Sequence, residues 1–265
     1  MEVKGNTSKK TSSSSKCSVV EIPSRKQLKV LLVGATGLIG GHCLEFLLKE
    51  PSVAKVYAPT RRTLPHRIDK LRNLLIDFDR LDEYEELFHV DAIICCLGTT
   101  IKQAGSKSAF RKVDLEYCLE FAQLARGYDA KAFYLVSAIG ADSKSPFFYN
   151  RVKGELEDQL KNLQYDYLSI YQPSLLLGER DEFRFGEKIA SKLTGLVNPF
   201  MGGAISQYKP IQGEVVARAM VNECSRIGIE TAAGHPVGPQ VNVYSHDKIV
   251  TLARHPEKIL TRSKV

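Results

Sequence analysis

The chain has no apolar run near the ~18–20 residues that a membrane span requires. Its opening stretch, "MEVKGNTSKKTSSSSKCSVV", has no apolar centre of the secretory-signal kind and makes a poor amphipathic helix, which argues against export and against a mitochondrial leader. The six cysteines (Cys17, Cys43, Cys95, Cys96, Cys118, Cys224) include no C-x-x-C pair and have no histidine at zinc-ligand spacing. No metal site is expected, and a reducing compartment suits free thiols. No period of ~20–50 residues repeats along the chain, which excludes a solenoid or propeller.

A folded body with net charge is also lacking. The formal charge of +7 resides at the ends. Lys4, Lys9, Lys10, Lys16, Arg25 and Lys26 outweigh Glu2 and Glu21 by four charges, and Arg254, Lys258, Arg262 and Lys264 outweigh Glu257 by three. Residues 27–253 are neutral overall, so no nucleic-acid-binding face is expected on the folded part. The expected organisation is a disordered Ser/Lys-rich tail over 1–26, one domain over 27–253 and a basic tail over 254–265. The cytoplasm is the expected location. The terminal Ser-Lys-Val makes a peroxisome a lesser address, as is the mitochondrial surface.

Strand and helix signals alternate through the body. Strands are expected at 28–33, 55–62, 73–79, 91–98, 131–140 and 165–173, the last stopped by Pro173. Helical periodicity fills the gaps, over one long helix at 106–127 and another at 147–162. Apolar strands alternating with helices imply an α/β fold with a doubly wound parallel sheet covered on both faces. After Leu175 the rhythm changes, and a small C-terminal cap on the substrate side is expected within about 175–240, with an amphipathic helix at 213–228. Arg180 and Arg184 there are the first candidates to meet an anionic substrate.

Gly34, Gly37 and Gly40 follow the first strand and open the first helix. Glycines at this spacing allow a tight turn, close backbone approach to a pyrophosphate and close helix–strand packing. The helix amides of Thr36, Leu38 and Ile39 and the helix dipole then favour phosphate. The segment ending the second strand, Ala58–Arg62, has no carboxylate for a ribose 2′-hydroxyl. Arg61 and Arg62 would instead pair with a 2′-phosphate, so NADP(H) is favoured over NAD(H). Asp77 and Phe78 follow the third strand as adenine neighbours, and Leu97, Gly98 and Thr99 follow the fourth beside the cofactor ribose.

Tyr149 and Lys153 stand one turn apart on the helix after the fifth strand, and Ser137 ends that strand. Reduction of a carbonyl needs a proton donor at the oxygen and a second hydrogen bond to hold it. Ionising a tyrosine at pH 7 requires a shift of about three units, or ~4 kcal/mol, which a neighbouring ammonium promotes. Lys153 would also hold the nicotinamide ribose, and Ser137 would donate to the substrate oxygen.

These residues, with "GATGLIGG", "CCLGTTIKQAGSKSAFRKVD", "LVSAIGAD", "YNRVKGELE" and "PSLLLGER", resemble the short-chain dehydrogenase/reductase superfamily in its atypical and extended branches, and within it the oxidoreductases of the Tat-interacting-protein type. The resemblance covers about Leu28 to Val221. It implies a Rossmann-like fold, an NADP(H) site, Ser137, Tyr149 and Lys153 in catalytic roles, and Pro173 and Ser174 in the loop bordering the nicotinamide. Gln172 stands where many relatives carry arginine, so a charge contact is lost there. The expected activity is oxidoreduction of a small carbonyl or hydroxyl compound. A non-catalytic NADP(H)-binding regulator, an epimerase or dehydratase, and a homodimer or protein complex are compatible with the same residues.

Overall fold

The computed structural model describes residues 27–65, 68–177, 208–232 and 238–254. The N-terminal tail, the C-terminal tail after Arg254, Arg180, Arg184 and most of the expected cap lie outside the described residues. The strands are β1 (Leu28–Val33), β2 (Val53–Thr60), β3 (Leu71–Leu75), β4 (Ala92–Cys95), β5 (Ala132–Val136), β6 (Tyr167–Tyr171), β7 (Leu176–Leu177), β8 (Ile211–Gln212) and β9 (Gln240–Tyr244). Seven form one sheet, ordered β3-β2-β1-β4-β5-β6-β9, and every pair is parallel. The chain reverses its direction of winding between β1 and β4, which opens a crevice at the carboxyl ends of those strands.

Alternation along each strand divides the core. Leu28, Val30 and Leu32 of β1 face one layer with Ala92, Ile94 and Tyr134. Leu31 and Val33 face the other with Ile93, Cys95, Phe133 and Leu135. Helices α1 (Leu38–Lys49), α6 (Gly213–Ala232) and α7 (His246–Arg254) cover the first layer, with α6 packed against both α1 and α7. Its residues Val216, Ala217, Met220 and Cys224 are fully or almost fully buried. The amphipathic helix within the expected cap region is thus part of the core layer, because its apolar stripe finds α1 and the sheet. Strand β9 is a seventh strand that period alone does not reveal: "QVNVY" presents Val241 and Val243 exposed on an edge.

The second layer holds the helix expected over 106–127, unbroken from Lys107 to Gly127 but with a π-helical turn inside it. Two short helices, α2 (Ile101–Ala104) and α3 (Lys107–Arg111), lead into a π-helical turn at Lys112–Glu116, and α4 (Tyr117–Gly127) follows. Thr100 and Ser106 cap α2 and α3 by accepting from Gln103 N and Ala109 N. Asp114 and Leu115 of this wider turn both face inward. Helix α5 (Phe148–Asn162) completes this layer.

Candidate active site

The first turn is shaped by backbone contact. Gly34 has φ +86°, and a Cβ there would stand 2.7 Å from the carbonyl of Cys96; one on Gly40 would stand 2.1 Å from Gly34 O. Only hydrogen fits either place. Gly37 N donates to Gly34 O at 2.9 Å and occupies the N-cap of α1 with no side-chain cap, and the first helical turn carries no acid. The helix thus begins with amides that no side chain covers, a setting that favours an anion. A cavity of about 390 Å³ opens over this turn, lined by Thr36, Gly37, Gly41, Leu44, Glu45 and Arg62 among others. Leu38 packs beside Gly213 of α6, and Ile39 is buried, so what these two can offer a phosphate is their backbone amides.

Arg61 and Arg62 leave β2 on an exposed bend. That bend is held from below: Thr60 Oγ1 donates to Arg62 O at 2.7 Å, and Asn73 Nδ2 donates to Ala58 O and Thr60 Oγ1. Arg62 reaches the wall of the cavity, whereas Arg61 is not among the lining residues. Asp77 is exposed and accepts from Asp79 N. Phe78 is buried, with its ring set edge-on to Tyr117 and Phe121 at 5.6 and 5.2 Å. Its side chain is committed to the core, leaving its backbone for any adenine contact.

At the exit of β4, Leu97 packs against the second layer, and Gly98 and Thr99 pass over the π-helical turn. A Cβ on Gly98 would lie 3.3 Å from Asp114 Oδ1 and 3.8 Å from Lys153 Nζ. Asp114 Oδ2 accepts from Thr99 N at 2.7 Å, and Oδ1 pairs with Lys153 Nζ at 2.7 Å. Both side chains are almost fully buried, at 1% and 5% exposure. Burial alone would push Lys153 down, but the carboxylate of Asp114 and the phenol of Tyr149 hold it above the ordinary lysine value. Sequence reasoning missed Asp114: helical spacing puts it on the face of Phe110 and Cys118, but only the fold shows that Lys153 lies across from it.

Tyr149 lies on the first turn of α5, half-buried, its ring tilted against Phe110 at 5.6 Å. Lys153 was expected to bring Tyr149 down. Instead Tyr149 lies above the ordinary tyrosine value, raised by burial and by Asp114, with Lys153 opposing them. Burial outweighs the ammonium's field, and the carboxylate adds a smaller push in the same direction as burial.

Ser137 is buried at the end of β5, and its Oγ donates to Glu157 Oε1 at 2.5 Å. Glu157 is 4% exposed and also receives Gln172 Nε2 at 3.0 and 3.1 Å. The loop from Ser137 to Phe147 is clamped onto α5. A Cβ on Gly154 would fall 2.2 Å from the backbone of Asp142 and Ser143, and Asn150 Nδ2 donates to Gly140 O at 2.7 Å. Pro173 O accepts from Ile139 N at 3.0 Å, and the Ser174 hydroxyl is bonded to Lys209 O. These two residues fasten the β6 exit to its neighbours.

A doubly wound parallel sheet, a glycine turn on its first crossover and a Tyr-x-x-x-Lys helix at the central strand exits define an NAD(P)-binding, Rossmann-like protein of the short-chain dehydrogenase/reductase kind. The chain belongs to the NAD dependent epimerase/dehydratase family, whose model matches residues 30–208. Among relatives, Protein HTATIP2 of Rattus norvegicus is 39% identical over 170 residues, 63% of this chain and 70% of that one. Protein fmp52, mitochondrial, of Aspergillus clavatus is 33% identical over 200 residues, 73% of this chain and 85% of that one. Among solved structures, the oxidoreductase ylbE from Lactococcus lactis superposes with a TM-score of 0.57 at 22% identity, covering 88% of this chain and 96% of that one. UDP-glucose 4-epimerase from Thermotoga maritima, with UDP-glucose, gives 0.57 at 14% identity, covering 89% and 84%. At such identities these structures show the fold. Among the described residues no group of side chains could hold a metal ion, and no helix is long and apolar enough to cross a membrane.

Proposed function

We propose that the chain is an NADP(H)-dependent oxidoreductase acting on a small carbonyl or hydroxyl compound, with Tyr149 as acid and base. The observation that carries this reading is the place of the Lys153 ammonium. It lies beside Gly98 at the exit of β4, next to the crevice where the winding of the sheet reverses. The residues fit a dinucleotide: the turn is a cradle that any Cβ would fill, and Arg62 shares its cavity, where a 2′-phosphate would meet a guanidinium. When bound, the nicotinamide supplies or receives the hydride. Tyr149, held neutral, gives its proton to the substrate oxygen in reduction and takes it back in oxidation. Lys153, anchored by Asp114, presents an ammonium hydrogen to the cofactor ribose, and Ser137 completes the pocket around the substrate oxygen.

The test begins with thermal shifts for NADPH, NADP, NADH and NAD at equal concentration. A ligand at 100 times its dissociation constant stabilises by about 2.7 kcal/mol. Absence of a shift with any of the four would sink the reading. NADPH oxidation across a carbonyl panel, lost in Tyr149→Phe with cofactor affinity kept, supports catalysis. Cofactor binding without turnover would move the assignment to a regulatory role, with a protein partner or a homodimer to be sought. A second reading, an epimerase or dehydratase, is favoured by the family description and by the nucleotide sugar in the Thermotoga structure. Cofactor that copurifies and does not dissociate would select it. The cytoplasmic location expected from the sequence competes with the mitochondrion of the fungal relatives' names; imaging of a fluorescent fusion separates them.

A further inference from the structure

The Ser137 hydroxyl has one hydrogen, and Glu157 Oε1 lies at 2.5 Å from its oxygen. An ionised Glu157 is an acceptor only, so it takes that hydrogen and leaves Ser137 Oγ able only to accept. A protonated Glu157 reverses the bond: the acid donates to Ser137 Oγ, and the serine hydrogen is free for a carbonyl oxygen in the pocket. Gln172 Nε2 reaches both carboxyl oxygens, so the amide tolerates either state and holds the carboxyl group in place. A donor to the oxygen of a carbonyl substrate and an acceptor for the hydroxyl of an alcohol substrate are opposite requirements, and one proton on Glu157 decides between them.

We propose that Glu157 is a positioning residue that sets the direction of the Ser137 hydrogen, making Ser137 a donor toward a carbonyl oxygen when Glu157 carries a proton and an acceptor when it does not. The proposal deepens the reductase reading and rests on it for its kinetic consequence, though not for the orientation itself. Charges near Glu157 leave the exchange open. On its own helix Lys161 favours the ionised form and Asp158 opposes it. Across the packing, Ser137 from the end of β5 and Gln172 from the end of β6 are neutral. From the π-helical turn Asp114 is paired with Lys153, from α3 Arg111 is paired with Glu155, and from α4 Arg126 is bonded to the carbonyls of Leu163 and Gln164. Burial of Glu157 raises it above the ordinary glutamate value, against the hydrogen bonds from Ser137 and Gln172.

The decisive experiment follows the carbonyl stretch of protonated carboxylic acids by infrared titration of the full chain. A band lost in Glu157→Gln identifies the residue. Ser137→Ala then removes a donor to the carboxylate and moves that titration upward by about one pH unit, a tenfold change in proton affinity. Gln172→Arg moves it down by a similar amount by adding a positive partner. Ser143→Ala, whose hydroxyl bonds Asp158 instead, leaves it in place. A Glu157 titration unmoved by Ser137→Ala, or moved equally by Ser143→Ala, would overturn the proposal. In turnover, the rate of carbonyl reduction by wild type falls with pH along the infrared titration, and Glu157→Gln flattens that limb while cofactor affinity holds. Retention of the wild-type limb in Glu157→Gln overturns it as well. A chain with no turnover at all refutes the reductase reading, while the infrared arm still decides the hydrogen's direction.

Discussion

Removing the carboxylate of Asp114 should cost more than any surface ion pair, and the structure says why. Asp114 and Lys153 meet at 2.7 Å with both side chains almost fully buried. At an effective dielectric of ~20, two unit charges ~4 Å apart attract by about 4 kcal/mol. Breaking such a pair from one side leaves the ammonium buried and unanswered, at a cost of about 3–5 kcal/mol. Asp114→Ala also orphans Thr99 N, which donates to Oδ2. Urea unfolding should therefore show a loss of about 3–5 kcal/mol, or roughly 6–20 °C in Tm for a chain of this size. Lys153→Met alone should cost a similar amount, and Asp114→Ala/Lys153→Met should recover most of the loss, since neither charge then lies buried. A loss under ~1 kcal/mol for Asp114→Ala would place the pair in the exposed class and refute the reasoning. So would strict additivity in the double variant.

Further outcomes follow from other contacts. Arg62→Ala should weaken NADPH by about tenfold or more while leaving NADH unchanged, since only a 2′-phosphate loses a charge-assisted bond; isothermal titration measures both, and Arg61→Ala should do less. Gly154→Ala should cost about 1–3 kcal/mol, because the added methyl falls on the Asp142–Ser143 backbone; chemical denaturation reads it, and a neutral result would mean the loop moves freely from α5. Glu157 and Glu223 are both raised above the unfolded glutamate value of 4.5 by burial, Glu223 despite hydroxyls from Ser169, Tyr171 and Tyr244. A raised folded value means that the unfolded chain releases its proton first. Their stabilising contribution is thus complete below about pH 4.5 and declines as pH rises through the folded values. Glu223→Gln should flatten that decline in unfolding free energy, and an unaltered slope would contradict the sign.

Much of the site can be read locally. A glycine turn is a short-range device, and Gly34, Gly37 and Gly40 declare it within seven residues. Tyr149 and Lys153 share a helical face by spacing alone. Asp114 and Glu157 were not legible in the same way. Asp114 shares a helical face with Phe110 and Cys118, but its partner Lys153, thirty-nine residues on, is brought to it only by the fold. Glu157 lies on the buried side because Ser137 and Gln172, twenty and fifteen residues away in sequence, arrive beside it.

The sequence by itself determined the alternation of strands and helices, the cofactor turn and the candidates for proton transfer, since each is written in residues close enough to share one turn or one strand. The tertiary structure alone decided the partners. It set Asp114 against Lys153, Glu157 against Ser137, Arg62 rather than Arg61 in the cavity wall, and α6 in the core layer rather than in a cap. Periodicity states which face of an element is apolar, but a charge's worth depends on what lies across the interface from it, and folding brings that neighbour from elsewhere in the chain.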